Sequence, residues 1–457
     1  MDFDFSVLKG ILKDENRIIT ENIEDKYQSD TLGRLKGTAS AVLFPISANE
    51  VSAILKFSFE NEIPVTPRGA GTNLVGSTVP VSGGIILDLS KMNRILELDK
   101  ETLTATVEAG VVLDDFQKFI ESEGLFYPPD PGEKSATIGG NVSTNAGGMR
   151  AVKYGVTRDY VLGLEVVLAN GDILKVGSKN IKDSSGLSLK NLIIGSEGTL
   201  AIITKCILKV IPKPELTVSI LVPYSSLQIG IESVFQIIRE NANPTAIEFV
   251  EKTVVRLGEK FLNLEFPFPE AVAYILLTFD GSKEEVEANI KKVKKVTTEY
   301  GALDFLQLED HVATNVWNIR GALVKAVEAV SEQEPIDIVI PINKTVEFIS
   351  FIHELEEKTG IQMVSFGHAG DGNIHLCIVR GSCHKKEWKN QLKNIMLSIY
   401  TYAYKLGGLT SGEHGIGISK RDYFLKHTDT SNIVIMNKIK DALDKKHILN
   451  NHKVYMD

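Results

Sequence analysis

The chain has 457 residues, 43% of them hydrophobic and 24% charged, the balance of a soluble globular protein large enough for two or three domains. Its 59 acidic and 50 basic side chains leave a net charge of −9, which argues against a nucleic-acid surface. No apolar run approaches the ~18 residues of a membrane helix, and the acidic start MDFDFSVLKGILKDENR lacks the basic head and apolar core of a signal peptide, so a cytoplasmic protein with no membrane span is expected.

In chain order, residues 3–13 read as a short helix. Ser47 followed by Glu50 is a capping box opening a helix to about Asn61, and a short strand follows over 63–66. Strands are expected at 85–89, 95–98 and 102–108, and an amphipathic helix at 112–123. The 161–169 and 172–176 strands flank Asn170-Gly171, a hairpin signal, and 199–210 reads as another strand. Pro212 and Pro214 mark a boundary. Beyond it come strands at 216–222, 245–250, 271–279 and 303–308 with helices at 225–240 and 283–300. This order predicts a ferredoxin-like, mainly antiparallel sheet with helices on one face. Helices at 309–329, 343–359 and 385–406, strands near 336–341, 361–366 and 373–379, and a tail of loop and helix from 409 complete the chain.

Two stretches are rich in glycine. TPRGAGTNLVGSTVP, residues 66–80, looks at first like a dinucleotide fingerprint, but its third Gly falls at 76 rather than 74 and no helix can follow through Pro80 and Gly83-Gly84. It reads instead as a phosphate cradle of backbone amides beside Arg68 and Thr72, with a structural turn as the competing reading. The second stretch, 133–204, begins EKSATIGGNVSTNAGGMRAVKYGVTRDY and ends LIIGSEGTLAIIT. Its glycines between small polar residues bring backbone close to a phosphate or a flavin edge; a plain surface loop is the alternative.

SFGHAGDGNIHLC at 365–377 and LTSGEHGIGISK at 409–420 hold three of the nine histidines. His368, His375 and Glu413 supply two imidazoles and a carboxylate, a plausible divalent-metal set for zinc, iron, manganese or cobalt. Glu413 and His414 are neighbours, so one is expected to face the metal and the other the substrate. Cys206, Cys377 and Cys383 show no C-x-x-C spacing, which excludes a self-contained iron–sulfur cluster and argues against a disulfide framework.

PRGAGTNL, PGEKSATIGGNVSTNAGG, GSEGTLAIIT, GHAGDGNIH and SGEHGIG, in this order, resemble the FAD-linked D-2-hydroxy-acid dehydrogenases (D-lactate dehydrogenase and glycolate oxidase FAD-subunit type) of the vanillyl-alcohol-oxidase superfamily, over nearly the whole chain. The resemblance implies an α+β fold: a two-subdomain FAD-binding domain over 1–210, a ferredoxin-like antiparallel cap over 211–408, and a 409–457 segment returning to the FAD domain. It implies that the FAD pyrophosphate meets Arg68, Gly69, Ala70, Gly71, Thr72 and Asn73. Pro131, Ser135, Ala136, Thr137, Gly139 and Gly140 would continue the cofactor path. Asn141, Ser143, Thr144 and Asn145 belong to the same path, and Gly147, Gly148, Glu197, Gly198 and Ile203 complete it. With no His or Cys between Arg68 and Ile203, the FAD is expected to be non-covalent. His368, His375 and Glu413 match the metal ligands, His414 the base and Arg320 the clamp for the substrate carboxylate.

Relatives acting on D-2-hydroxyglutarate carry Asn where Cys377 stands, Lys near Pro335 and Thr at Val324. Their absence points to a small monocarboxylate, D-lactate first and glycolate next. No second nucleotide fingerprint is present, so the electrons must pass to oxygen, a quinone or a partner protein; the resemblance implies an electron-transferring flavoprotein or an iron–sulfur partner, with glycolate or D-2-hydroxyglutarate oxidation through a quinone or iron–sulfur partner as the alternative. A metal hydrolase and a non-catalytic FAD-bearing scaffold are the competing classes. The first would be colourless, and the second has no use for His414 and Arg320.

Overall fold

The computed structural model describes residues 6–456. The first helix runs over Ser6–Leu12, and residues 3–5 of its expected span lie outside the described residues. The chain divides into two compact units. One comprises the chain up to Ala146, Val156–Lys213 and the chain from Glu413 onward; the other comprises Gly147–Gly155 and Pro214–Gly412.

The first unit is built on two sheets. The smaller runs Ile18–Ile19, Ala41–Leu43, Ile85–Asp88, Val65–Arg68, and its last three strands are parallel. Ala41–Leu43 and Ile85–Leu87 are fully buried, the continuous apolar runs of a parallel sheet covered on both faces. The connecting helix Ala48–Glu60 is capped by Ser47, which accepts from the Glu50 amide. Only half of the predicted capping box forms. The Glu50 carboxylate turns to the Ile46 amide and to the Arg17 guanidinium, 2.6 Å away, instead of the Ser47 amide.

The larger sheet is antiparallel and runs Ile95–Asp99, Thr104–Glu108, Ile202–Lys209, Val161–Val167, Ile173–Gly177. Its last two strands form the hairpin expected at Asn170-Gly171, with Gly171 at φ +91°. The C-terminal chain closes on the smaller sheet, where Val65 and Leu449 bridge. Fully buried Lys440 holds that return by donating to the Asp444 carboxylate and to the carbonyls of Thr199 and Leu449.

The second unit is one seven-stranded antiparallel sheet. Its order is Leu306–Gln307, Leu216–Tyr224, Ala273–Gly281, Ala246–Glu251, Met363–His368, Asn373–Val379, Gln333–Val339. Taken in chain order, the first four strands lie 4-1-3-2, the ferredoxin-like arrangement. The last three repeat it, with a single Val339–Leu409 bridge in the place of a fourth strand. The two halves join through their second strands, with Glu248 opposite His368.

Helices cover both faces of this sheet, which corrects the one-face expectation. Gly230 of the Leu227–Arg239 helix packs against Ile275 on one face. On the other, Tyr274 and Leu276 join Val254, Val255, Ile319 and Leu323 in one apolar cluster. The Lys252–Leu262 helix, absent from the sequence reading, supplies part of that cover. The physical sign is in Ala273–Gly281, whose first five residues are all buried instead of alternating. Among the described residues no helix is long and apolar enough to cross a membrane.

Candidate functional site

In the first unit the site is made of backbone. Val65–Arg68 ends in the PRGAGTNL loop, and no helix follows before Ile85–Asp88. The five amides from Gly69 to Asn73 donate to no protein acceptor among the described residues. The Arg68 guanidinium curls beneath them, 5.3 Å from the centre of the Tyr27 ring, and its buried Nη1 has no hydrogen-bond partner. Burial holds its pKa below the usual guanidinium value. Gly71 sits at φ +74°, where a Cβ would lie 2.0 Å from Arg68 Nη2. Five unused amides over an unpaired buried cation fit a pyrophosphate, the group FAD presents.

The second Gly-rich segment meets this loop. A Cβ on Gly69 would lie 2.2 Å from Oγ1 of Thr137, whose side chain caps a helix at Ile138–Thr144 by accepting from the Gly140 amide. The sequence reading assigned no helix there, and two glycines in a first turn weaken one. Tertiary packing overrides that preference, because Gly139 lies so close to Ala109 that a Cβ would meet it at 2.6 Å. Ser143 and Thr144 donate to carbonyls of their own helix, and Asn145, at φ +52°, ends it and accepts from the Arg158 amide. Pro131, Ala136, Asn141 and Ile203 are buried, whereas Ser135 is exposed and bonded to Glu133. Gly198 packs on Pro67, where a Cβ would meet the ring at 2.4 Å. Gly147 and Gly148 belong to the second unit, where Gly148 accepts from Ala151.

Glu197 departs most from its expected role. It is 5% exposed and left-handed at φ +52°, and its amide donates to Ser143. Its carboxylate accepts from the amides of Ile416 (2.7 Å) and Gly417 (3.0 Å) and from the Ser77 hydroxyl. The side chain therefore holds the SGEHGIG loop and leaves only its backbone for a cofactor. Burial pushes its carboxyl pKa up and pulls that of nearby Lys453 down to about 7. Asn73 Nδ2 donates to the His414 carbonyl, so the amide-bearing loop and the histidine loop are tied together. Glu413 and His414 do not diverge as expected; Oε1 and Nε2 lie 3.9 Å apart.

In the second unit the site is made of side chains. His368 ends Met363–His368 and His375 lies in Asn373–Val379, opposite Phe366 in the hairpin register. The register puts both rings on one face, with their Nε2 atoms 3.2 Å apart. Two imidazoles on one ion at ~2.0–2.1 Å, subtending about 100°, stand roughly 3.1–3.2 Å apart, so the pair fits a shared metal. His368 Nδ1 lies 2.5 Å from Glu248 Oε1. The other oxygen of Glu248 accepts from Arg320 Nε at 2.8 Å. Arg320 Nη2 lies 2.5 Å from that same oxygen at an angle that makes no hydrogen bond, so Nε carries the contact. The guanidinium stands 5.0 Å from the centre of the Phe366 ring.

Asp337, opposite His375, accepts from Asn373, from the Ser411 hydroxyl and from the Gly412 amide. It thereby anchors the chain one peptide bond before Glu413. Sequence reasoning missed Glu248 and Asp337. Their signal is a lone carboxylate inside an apolar strand, AIEFV and IDIVI, which must find partners.

Residues 39–177 match the FAD binding domain model and 213–454 match the C-terminal domain of FAD linked oxidases. The chain is 43% identical to a D-lactate dehydrogenase of Anaerostipes hadrus, over 96% of this chain and 94% of that protein. It is 37% identical to the glycolate oxidase subunit GlcD of Bacillus subtilis, over 95% and 94%. The chain belongs to the FAD-linked D-2-hydroxy-acid dehydrogenase family. The chain shares its fold with substrate-bound p-cresol methylhydroxylase, on which it superposes with a TM-score of 0.79 at 18% identity, covering 98% of this chain and 96% of that one. An alkyldihydroxyacetonephosphate synthase gives 0.77, also at 18%, over 98% and 85%. At such identities these two carry the fold alone. As a family member the chain is an FAD-dependent enzyme.

Proposed function

We propose that the protein oxidises D-lactate to pyruvate, with non-covalent FAD and a divalent metal, and passes the electrons to a partner protein in the cytoplasm. The observation that carries this reading is the chain Arg320–Glu248–His368–His375 on one sheet face: a carboxylate binder beside two convergent imidazoles. Arg320 binds the substrate carboxylate through its Nη1 end, since its Nε edge is committed to Glu248. His414 takes the hydroxyl proton, a role suited to imidazole near neutrality. FAD supplies the acceptor for the hydride leaving the same carbon, so loss of one proton and one hydride yields the 2-oxo acid. A divalent ion on His368 and His375, with Glu413 as the third ligand implied by the family motif, supplies a Lewis acid for the hydroxyl. The functional division proposed is an FAD domain from the first unit and a substrate cap from the second.

The small substrate is supported by Cys377, Pro335 and Val324. Pro335 and Cys377 pair across adjacent strands, and Cys377 is buried in the apolar cluster against which Val324 packs. Burial pushes its thiol pKa up to about 12. None of the three offers a charged or amide donor to a second carboxylate, which would stay unpaired at a cost. The partner reading rests on the sequence, whose three cysteines, Cys206, Cys377 and Cys383, lack the C-x-x-C spacing of a cluster of the chain's own.

Anaerobic flavin bleaching tests the proposal. D-lactate is expected to bleach the visible flavin band faster than L-lactate, glycolate or D-2-hydroxyglutarate. Chelator should abolish the bleaching, and divalent metal should restore it. Faster reduction by D-2-hydroxyglutarate would overturn the substrate, and indifference to chelator would overturn the metal.

A further inference from the structure

Glu248 is the one carboxylate in the fully buried run Ala246–Val250, and its side chain is 0% exposed. Burying a carboxylate without partners is costly, so its two contacts account for its presence there. One is the imidazole of His368, a proposed metal ligand; the other is the guanidinium of Arg320, the proposed carboxylate clamp. We infer that Glu248 is a positioning residue that sets the His368 tautomer and the Arg320 orientation together, and so couples metal affinity to substrate affinity. The inference rests on the proposed roles of His368 and Arg320.

An ionised carboxylate only accepts hydrogen bonds. With Glu248 Oε1 at 2.5 Å, His368 carries its proton on Nδ1 and keeps the Nε2 lone pair directed at His375. Without an ion that lone pair accepts a hydrogen bond from His375 Nε2–H, and with one bound it would serve as the ligand. The second oxygen holds Arg320 by Nε, and the Phe366 ring beneath the guanidinium fixes its plane. This leaves the Nη1 end for a ligand. Both functions draw on one side chain, so a change at Glu248 reaches both, whereas a change at Arg320 reaches the clamp alone.

Glutamine separates this role from plain support of the fold. It keeps the shape of Glu248 but has one acceptor and one donor arm. If its oxygen faces Arg320, its amide faces His368 Nδ1. His368 then accepts there and moves its proton to Nε2, which removes the metal lone pair. If the amide faces Arg320, two donors oppose each other and the clamp is lost. The Glu248→Ala variant would strand a buried guanidinium and is a poor test, because it can fail by unfolding.

The experiment compares wild type, Glu248→Gln and Arg320→Lys as full-length holo-flavoproteins, after chelator treatment and with unchanged far-UV circular dichroism. Nitrogen-15 histidine NMR reads the tautomer, with the His368 signal assigned by its loss in His368→Gln. Zinc titration reads metal affinity, and flavin bleaching reads the D-lactate KM. The expected result is an Nδ1–H tautomer in wild type and an Nε2–H tautomer in Glu248→Gln. Zinc binding should weaken ~10–100-fold in that variant, the usual cost of losing such a partner, with a raised KM. Arg320→Lys should raise KM and leave zinc affinity within a few-fold. An unchanged tautomer, or zinc affinity of Glu248→Gln within two-fold of wild type, overturns the inference. A tautomer change between wild type and Glu248→Gln, with no zinc bound by wild type, overturns the metal reading and leaves Glu248 as the residue that positions His368.

Discussion

The amide loop of the first unit and the histidine hairpin of the second solve opposite problems. From Gly69 to Asn73 the backbone faces outward for use and side chains support it: Arg68 lies beneath, Asn73 ties the loop to His414, and Thr137 packs against Gly69. At His368 and His375 the backbone is consumed by strand pairing and the imidazoles converge, with His368 held by a third side chain from a strand about 120 positions away. A backbone site needs room, so it is specified by what is missing at each Cα. A side-chain site needs register, so it is specified by pairings distant in sequence.

The predictions test that contrast in order of effect. Replacing His414 with Asn should lower kcat ~10²–10⁴-fold, the range for a lost general base, while the visible spectrum still shows a full complement of flavin. Loss of the flavin with the activity would mean that the residue supports the cofactor loop instead. Gly71→Val should weaken FAD binding at least ~10-fold, since a left-handed β-branched residue costs at least about 1–2 kcal/mol before any clash with Arg68. Thr72→Ala, one residue on, should leave FAD affinity nearly unchanged; an equal loss in both, measured by flavin fluorescence on dilution, would show that side chains bind there.

Glu197→Gln sharpens the comparison from the other side. Its oxygen can keep one of the two loop amides and not both, and an unsatisfied buried donor costs about 1–3 kcal/mol. The expected outcome is a roughly ten-fold fall in kcat with FAD content and KM retained. A variant that loses FAD and keeps kcat per bound flavin would return Glu197 to the cofactor site.

The smallest effect is a pH effect. His353 is half-exposed and paired with Glu251, whose hydrogen bond raises the imidazole pKa. A raised base pKa stabilises the fold fully below the unfolded value near 6.5 and loses that contribution as pH rises through the folded value. His353→Gln should therefore destabilise the fold relative to wild type at pH 5–6 by less than ~1 kcal/mol given the exposure, read as a lower Tm, and the gap should close by pH 9. A gap that widens with pH would mean the pair does not form.

Much of this was legible without coordinates. The glycines of PRGAGTNL stand where amides are free, and the two histidine-bearing motifs lie where the hairpin and the Asp337-anchored loop begin. The Asn170-Gly171 turn and the 4-1-3-2 half of the second sheet follow the alternation of apolar segments and turn residues. Less legible was what side chains do at glycine-rich positions. Glu197 reads as cofactor-binding from its motif, and its carboxylate is bonded to the histidine loop; Gly139 and Gly140 read as close-approach backbone and lie in a helix.

Local sequence therefore determined which segments have exposed amides, which carry imidazoles, and where strands and turns alternate, because these depend on residues within a few positions of one another. The tertiary structure alone decided that Glu248 sits between His368 and Arg320, that Asp337 anchors Ser411 and Gly412, and that Gly147 and Gly148 fold with the second unit. Each of these is a pairing across 72 or more positions or a division of the chain between units. Such contacts are fixed by sheet register and by the partners a buried charge must find, and no local pattern encodes either.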